Sequence, residues 1–180
     1  DNIPGNDEWL IEKYDLCATS ALNITATSAN LLCNGQCIGT GTANPTGGTS
    51  PYTYSWTGGQ TTVTATGLCV GSYTVTVTDA VSATTTATVT ITQPTALSSS
   101  VTPTNASCNT QCNGFALLSA SGGTPGYSYS WTTASVQTTT NATGLCAGNY
   151  TVVITDLNGC TKTQTVAITQ PTALTPTVVP

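Results

Sequence analysis

The fourteen residues "TGLCVGSYTVTVTD" (Thr66 to Asp79) return as "TGLCAGNYTVVITD" (Thr143 to Asp156), identical at ten positions. Long self-similarity in a chain of 180 residues means that one structural unit is printed more than once, and any fold must respect that period. "ALNITAT" at Ala21 aligns with "ALSSSVT" at Ala96 and "ALTPTVV" at Ala173, and "CNGQCIG" at Cys33 with "CNTQCNG" at Cys108. "GGTSPYTYSW" (Gly47 to Trp56) aligns with "GGTPGYSYSW" (Gly122 to Trp131), and "ITQPTAL" occurs at Ile91 and Ile168. The offset is 75 residues through Trp56 (131 − 56) and 77 from Cys69 onward (146 − 69). The second copy therefore carries two extra residues between Trp131 and Cys146, expected in a loop. The chain divides into a head or linker segment 1–20, repeat one at 21–95 and repeat two at 96–172. Residues 173–180 read as the first strand of a third repeat or an exchange strand.

Within each copy the apolar residues alternate with period two, the signature of half-buried strands. Tyr73, Val75 and Val77 share one face, as do Tyr150, Val152 and Ile154; Ala87, Val89 and Ile91 form another such set. Tyr52, Tyr54 and Trp56 align, and so do Tyr127, Tyr129 and Trp131. The opposite faces are threonine, of which the chain has 42, a β-branched residue that favours strands and gives a polar surface without charge. About seven short strands per copy, split by Gly, Pro and Asn turns, predict an all-β chain of two tandem immunoglobulin-like β-sandwiches. Trp56, Trp131, Tyr73 and Tyr150 are expected in the cores, in preference to an exposed sugar-stacking platform.

Charge narrows the function. The chain has 2 basic residues, 7 acidic residues and no histidine. Asp1, Asp7, Glu8, Glu12 and Asp15 fall in the head, leaving Asp79, Asp156 and Lys162 for the repeats. Phosphate binding needs Lys and Arg, so nucleic acid is not an expected partner. No apolar run approaches the roughly 20 residues of a spanning helix, so membrane insertion is not expected. Histidine-based triads are excluded by composition, and Asp79 and Asp156 occupy equivalent turns of different copies instead of one cleft. The chain reads as a non-enzyme with no catalytic residue, cofactor or metal ion.

Eight cysteines without histidine point to an oxidising compartment and disulfides. A four-thiolate zinc site in repeat two is the competing reading, but repeat one would lack its fourth ligand. Repeat two has Cys108, Cys112, Cys146 and Cys160; repeat one has Cys33, Cys37 and Cys69, with Ala83 where the fourth would stand and Cys17 in the head. The expected pairing is Cys108–Cys160 and Cys112–Cys146, then Cys37–Cys69 by equivalence, with Cys17–Cys33 stapling the head to repeat one. Cys108–Cys146 with Cys112–Cys160 is the open alternative.

The string "GGTSPYTYSW…TTVTATGLCVGSYTVTVTD…TVTITQP", and its copy ending "DLNGCTKTQTVAITQP", resemble the SprB repeat of Bacteroidota cell-surface proteins over about 21–172. Repeat one departs at "DAVSATTT", where the Asn-Gly-Cys of the copy is lost. The resemblance implies an immunoglobulin-like module of long surface proteins exported by type IX secretion, such as gliding-motility adhesins. The expected function is a stalk or fibre module of an extracellular adhesin, whose partners are neighbouring repeats or subunits of the same protein and surface glycans. Two other readings stand beside it. One is a filament subunit joined by strand complementation, with Trp9, Leu10, Ile11 and Tyr14 as further partner contacts. The other is a carbohydrate-binding module.

Overall fold

The computed structural model describes residues 20–176. Of these, 20–30 and 37–92 form one compact unit, and 31–36 with 93–176 form a second. The short segment 31–36 thus lies within repeat one in sequence and belongs to the second unit in space.

The first unit contains β1 (Asn23–Ala29), β2 (Gly39–Thr46), β3 (Thr53–Trp56), β4 (Thr64–Leu68), β5 (Gly71–Thr78) and β6 (Thr84–Ile91). They form two antiparallel sheets, ordered β1-β2-β4 and β3-β5-β6. The second unit repeats the plan with β7 (Ser98–Thr104), β8 (Gly114–Ser121), β9 (Ser128–Trp131), β10 (Asn141–Leu145), β11 (Gly148–Thr155) and β12 (Thr161–Ile168). Its sheets are ordered β7-β8-β10 and β9-β11-β12. First, second and fourth strands in one sheet, with third, fifth and sixth in the other, is the immunoglobulin arrangement without its D strand. Each unit has six strands where the alternation suggests about seven. Only residues 57–63 connect β3 to β4, and a glycine turn at Gly58–Gly59 occupies part of them. The corresponding connection in the second unit, 132–140, holds the two-residue insertion.

Alternation decides which face is buried. Val75, Val77, Val152 and Ile154 are fully buried, and so is Ile91; Val89, Val166 and Ile168 follow closely. Trp56 and Trp131 are 3 % and 1 % exposed, each at the end of a four-residue strand. Their indoles fit because the facing sheet is lined with small residues. Ala43, Ala65, Ala116 and Ala142 are buried, and a Cβ on Gly41 would stand 3.0 Å from the Trp56 ring. The indole N–H of Trp56 donates to Thr62 O (2.9 Å) and that of Trp131 to Thr139 O (3.0 Å), so neither core buries an unpaired donor. Tyr73 and Tyr150 are only half-buried, their hydroxyls donating to Cys69 O and Cys146 O. They close the edge of the core instead of filling it.

The recurring "TGLC" has a local explanation. Gly67 and Gly144 have φ +68° and +64°, in the left-handed region that glycine enters without strain. The β8–β10 register shifts between Thr143 and Leu145, across that glycine. The resulting bulge bends the chain from one sheet toward the other. The cysteine that follows sits at the corner before β5 or β11.

Candidate functional site

Each sandwich has two chemically distinct ends, and the repeated sequence motifs map onto them. At one end a carboxylate organises two loops. Asp79 Oδ1 accepts from Val81 N (3.0 Å) and Ala83 N (2.8 Å), closing the β5–β6 turn, while Oδ2 accepts from Thr49 N (3.0 Å) in the β2–β3 loop. Asp156 repeats this with Asn158 N (2.9 Å), Cys160 N (2.8 Å) and Thr124 N (2.9 Å). The N–H of Thr49, opposed by burial and supported by Ala83 and Val81, holds the Asp79 carboxyl below its usual range. Thr124, opposed by burial and supported by Cys160 and Asn158, does the same for Asp156. The glycine pairs of "GGT" complete this end. Gly48 and Gly123 have φ +64° and +59°, and a Cβ on Gly123 would lie 2.5 Å from Asp156 Oδ2. The hydroxyls of Tyr52 and Tyr127 donate to Gly47 O and Gly122 O. Both aspartates are thus structural anchors that spend their acceptors on backbone N–H groups.

The cysteines occupy corners and turns. Cys37 pairs with Cys69 in the first unit and Cys112 with Cys146 in the second, each tying the segment before β2 or β8 to the corner before β5 or β11. The expected Cys108–Cys160 and Cys17–Cys33 bonds are not the ones formed: Cys33 is bonded to Cys160. The reason is the length of a strand. Cys160 precedes the eight residues of β12, and Gln170 and Pro171 follow them. Eight residues span about 26 Å. Cys108 lies at the far end, where Asn109 Nδ2 donates to Pro171 O (3.1 Å) and Thr110 N to Gln170 Oε1 (2.9 Å). A disulfide tolerates no more than about 7 Å between Cα atoms. Cys108 is exposed and unpaired among the described residues.

The segment 31–36 meets the β11–β12 turn through more than sulfur. Asn158 Nδ2 donates to Leu32 O (3.1 Å) and to Thr124 Oγ1 (2.8 Å). Asn34 Nδ2 donates to Pro94 O (3.0 Å) and Gly35 N to Gln93 Oε1 (2.8 Å). The turn "Asp-Leu-Asn-Gly-Cys" therefore holds this loop with one amide and one disulfide. Sequence reasoning recognised the turn but missed Asn158 and segment 31–36 as its counterpart. Ala83 and Val81 in repeat one, where Cys160 and Asn158 stand in repeat two, were the available signal.

Trp9, Leu10, Ile11, Tyr14 and Cys17 lie outside the described residues. Among the described residues, no three His, Cys, Asp or Glu side chains are grouped to hold a metal ion. No helix there is long and apolar enough to cross a membrane. Trp56 and Trp131 are interior, so neither forms an exposed stacking surface.

Two stacked three-stranded antiparallel sheets, repeated along the chain with an Asp-anchored turn and a corner disulfide in each, define a tandem immunoglobulin-like β-sandwich protein. The family model described as SprB repeat matches residues 25–61 and 100–136, the same stretch of each copy from β1 or β7 past β3 or β9. The chain carries two SprB repeats in tandem. No curated protein matches it. Similar solved structures include the amphioxus IgVJ-C2 molecule, at 12 % identity and a TM-score of 0.36, covering 84 % of this chain and 98 % of that one. A Dscam structure on isoform specificity is likewise 12 % identical with a TM-score of 0.36, covering 86 % of this chain and 47 % of its own.

Proposed function

We propose that this chain is a non-catalytic structural module of an extracellular bacterial cell-surface adhesin, of the type that serves attachment or gliding. Its tandem sandwiches give length to a stalk or fibre. The single observation that carries this reading is the repetition of one SprB-type sandwich with its polar lock, corner disulfide and buried tryptophan intact in both copies. Repeating a unit multiplies reach without adding a new site. The surface suits that role: hydroxyl pairs such as Thr42–Thr64 (3.1 Å) and Thr74–Thr88 (2.9 Å) replace charge between neighbouring strands. Disulfides support an extracellular setting. Its partners are the neighbouring repeats of the same protein, and glycans of the contacted surface are met elsewhere on the assembly.

The test is immunogold imaging of intact producing cells with an antibody to the folded chain. Label on thin projections from the cell surface is the expected result. Label confined to the cell interior contradicts the proposal.

A further inference from the structure

The loops that begin at Cys33 and Cys108 have the same shape, and among the described residues only the first is bonded to a turn. Asn34 and Asn109 both donate through Nδ2 to a proline carbonyl, at 3.0 and 3.1 Å. Gly35 N and Thr110 N both donate to a glutamine Oε1, at 2.8 and 2.9 Å. Both residues take a left-handed backbone, φ +79° and +64°. Thr110 adopts that conformation although it carries a Cβ, so the loop holds its form without help from glycine. Cys33 is bonded to Cys160 of the Asn-Gly-Cys turn, whereas Cys108 is exposed.

The surroundings correspond as well. A cleft of about 410 Å³ beside Cys33 is lined by Asn34, Ala96, Leu97, Gly159 and Cys160. One of about 420 Å³ beside Cys108 is lined by Asn109, Pro171, Ala173 and Leu174. Ala173 and Leu174 are the third copies of Ala96 and Leu97. Leu97 packs against the core of the second unit, while Leu174 is 98 % exposed. Among the described residues, the first cleft is walled by a cysteine turn and the second is not.

The turn is a separable device. Repeat one keeps its geometry at Asp79–Ala83, including the carboxylate bonds and a left-handed Ser82 (φ +68°) where repeat two has Gly159. It has nevertheless replaced the docking residues: Val81 for Asn158 and Ala83 for Cys160. The docking chemistry is thus distinct from what the turn needs to fold.

We infer that the Cys108 loop is the acceptor for the Asp-x-Asn-Gly-Cys turn of a following SprB-type repeat, which it binds through a Cys108 disulfide as Cys33 binds Cys160. Bond formation takes an oxidant bearing a disulfide. One thiolate attacks it to give a mixed disulfide and the other displaces it, so the oxidant leaves as a dithiol with the two electrons and two protons of the pair. The inference rests on reading the chain as a tandem structural module.

The test extends the full chain after Thr172 with a second copy of residues 96–172 that carries Cys108→Ser, so that the only new docking cysteine is the one in the added turn. Alkylation under native conditions, followed by non-reducing peptide mapping, reads the outcome. The expected result is loss of Cys108 labelling relative to the unextended chain, and a peptide joining Cys108 to the added turn. Rewriting the added turn as Ala-Val-Ser-Ala, as in repeat one, restores the labelling. Cys108 that stays fully reactive, or is found bonded to Cys17, beside an added repeat that forms its own Cys112–Cys146-type bond overturns this inference alone. An added repeat that forms no such bond overturns it together with the modular reading.

Discussion

Cys33 and Cys160 are 127 residues apart in the sequence and 5.7 Å apart between Cα atoms, joined as a disulfide that closes segment 31–36 onto the second unit. A crosslink over so long a loop restricts the unfolded chain strongly, and the turn it holds is already organised by Asp156.

Cys33→Ser with Cys160→Ala removes that constraint. The expected outcome is a loss on the order of 2–4 kcal/mol in unfolding free energy, measured by guanidinium titration under non-reducing conditions. Cys108→Ser should leave the midpoint within experimental error, because Cys108 makes no bond in the described chain.

The cysteine pairing also shows where sequence reading stops short. Alternation placed Val75, Val77, Val152, Ile154, Trp56 and Trp131 in the interior, because a period of two identifies a buried face wherever strands pair. The insertion fell in the β9–β10 connection, where extra residues cost least. Pairing Cys108 with Cys160 assumed that each copy closes its own cysteines. Yet β11, eight residues long, separates Cys146 from Cys160 and puts them at opposite ends of the sandwich. Cys112 is bonded to Cys146 and is four positions from Cys108, so Cys160 is out of reach. Counting strands between cysteines, not cysteines per repeat, carries that information. Asn158 stayed hidden because its partner is a backbone carbonyl, Leu32 O, which has no sequence signature.

Asp79 and Asp156 have folded-state pKa values below the ordinary carboxylate value of 3.8. A depressed folded pKa means stability present above the unfolded pKa and lost as pH falls through the folded one. Thermal midpoints should therefore hold constant near neutrality and fall as the pH drops from about 4 toward the lowered folded values. Asp156→Asn turns an NH₂ group toward either Thr124 N–H or the N–H groups of Asn158 and Cys160. It should lower the midpoint at pH 7 and flatten the acid limb of the curve.

Trp131→Ala empties the centre of the second sandwich. The expected cost is about 3–5 kcal/mol, seen as a lower denaturation midpoint. Leu174→Ala, at a fully exposed side chain, should change it by less than about 0.5 kcal/mol.

Gly123→Ala and Gly144→Ala separate two costs. Both residues have positive φ, which an L side chain enters at about 1–2 kcal/mol. At Gly144 the nearest atom to a new Cβ is Cys112 O at 3.8 Å, so that cost stands alone. At Gly123 the Cβ meets the Asp156 carboxylate at 2.5 Å, and the loss should be greater, as compared by chemical denaturation.

The most direct measurement is non-reducing peptide mapping of the native, thiol-blocked protein. A peptide joining Cys33 to Cys160, with Cys37–Cys69 and Cys112–Cys146 alongside, is the predicted result. Cys17 linked to Cys33 together with Cys108 linked to Cys160 would contradict it.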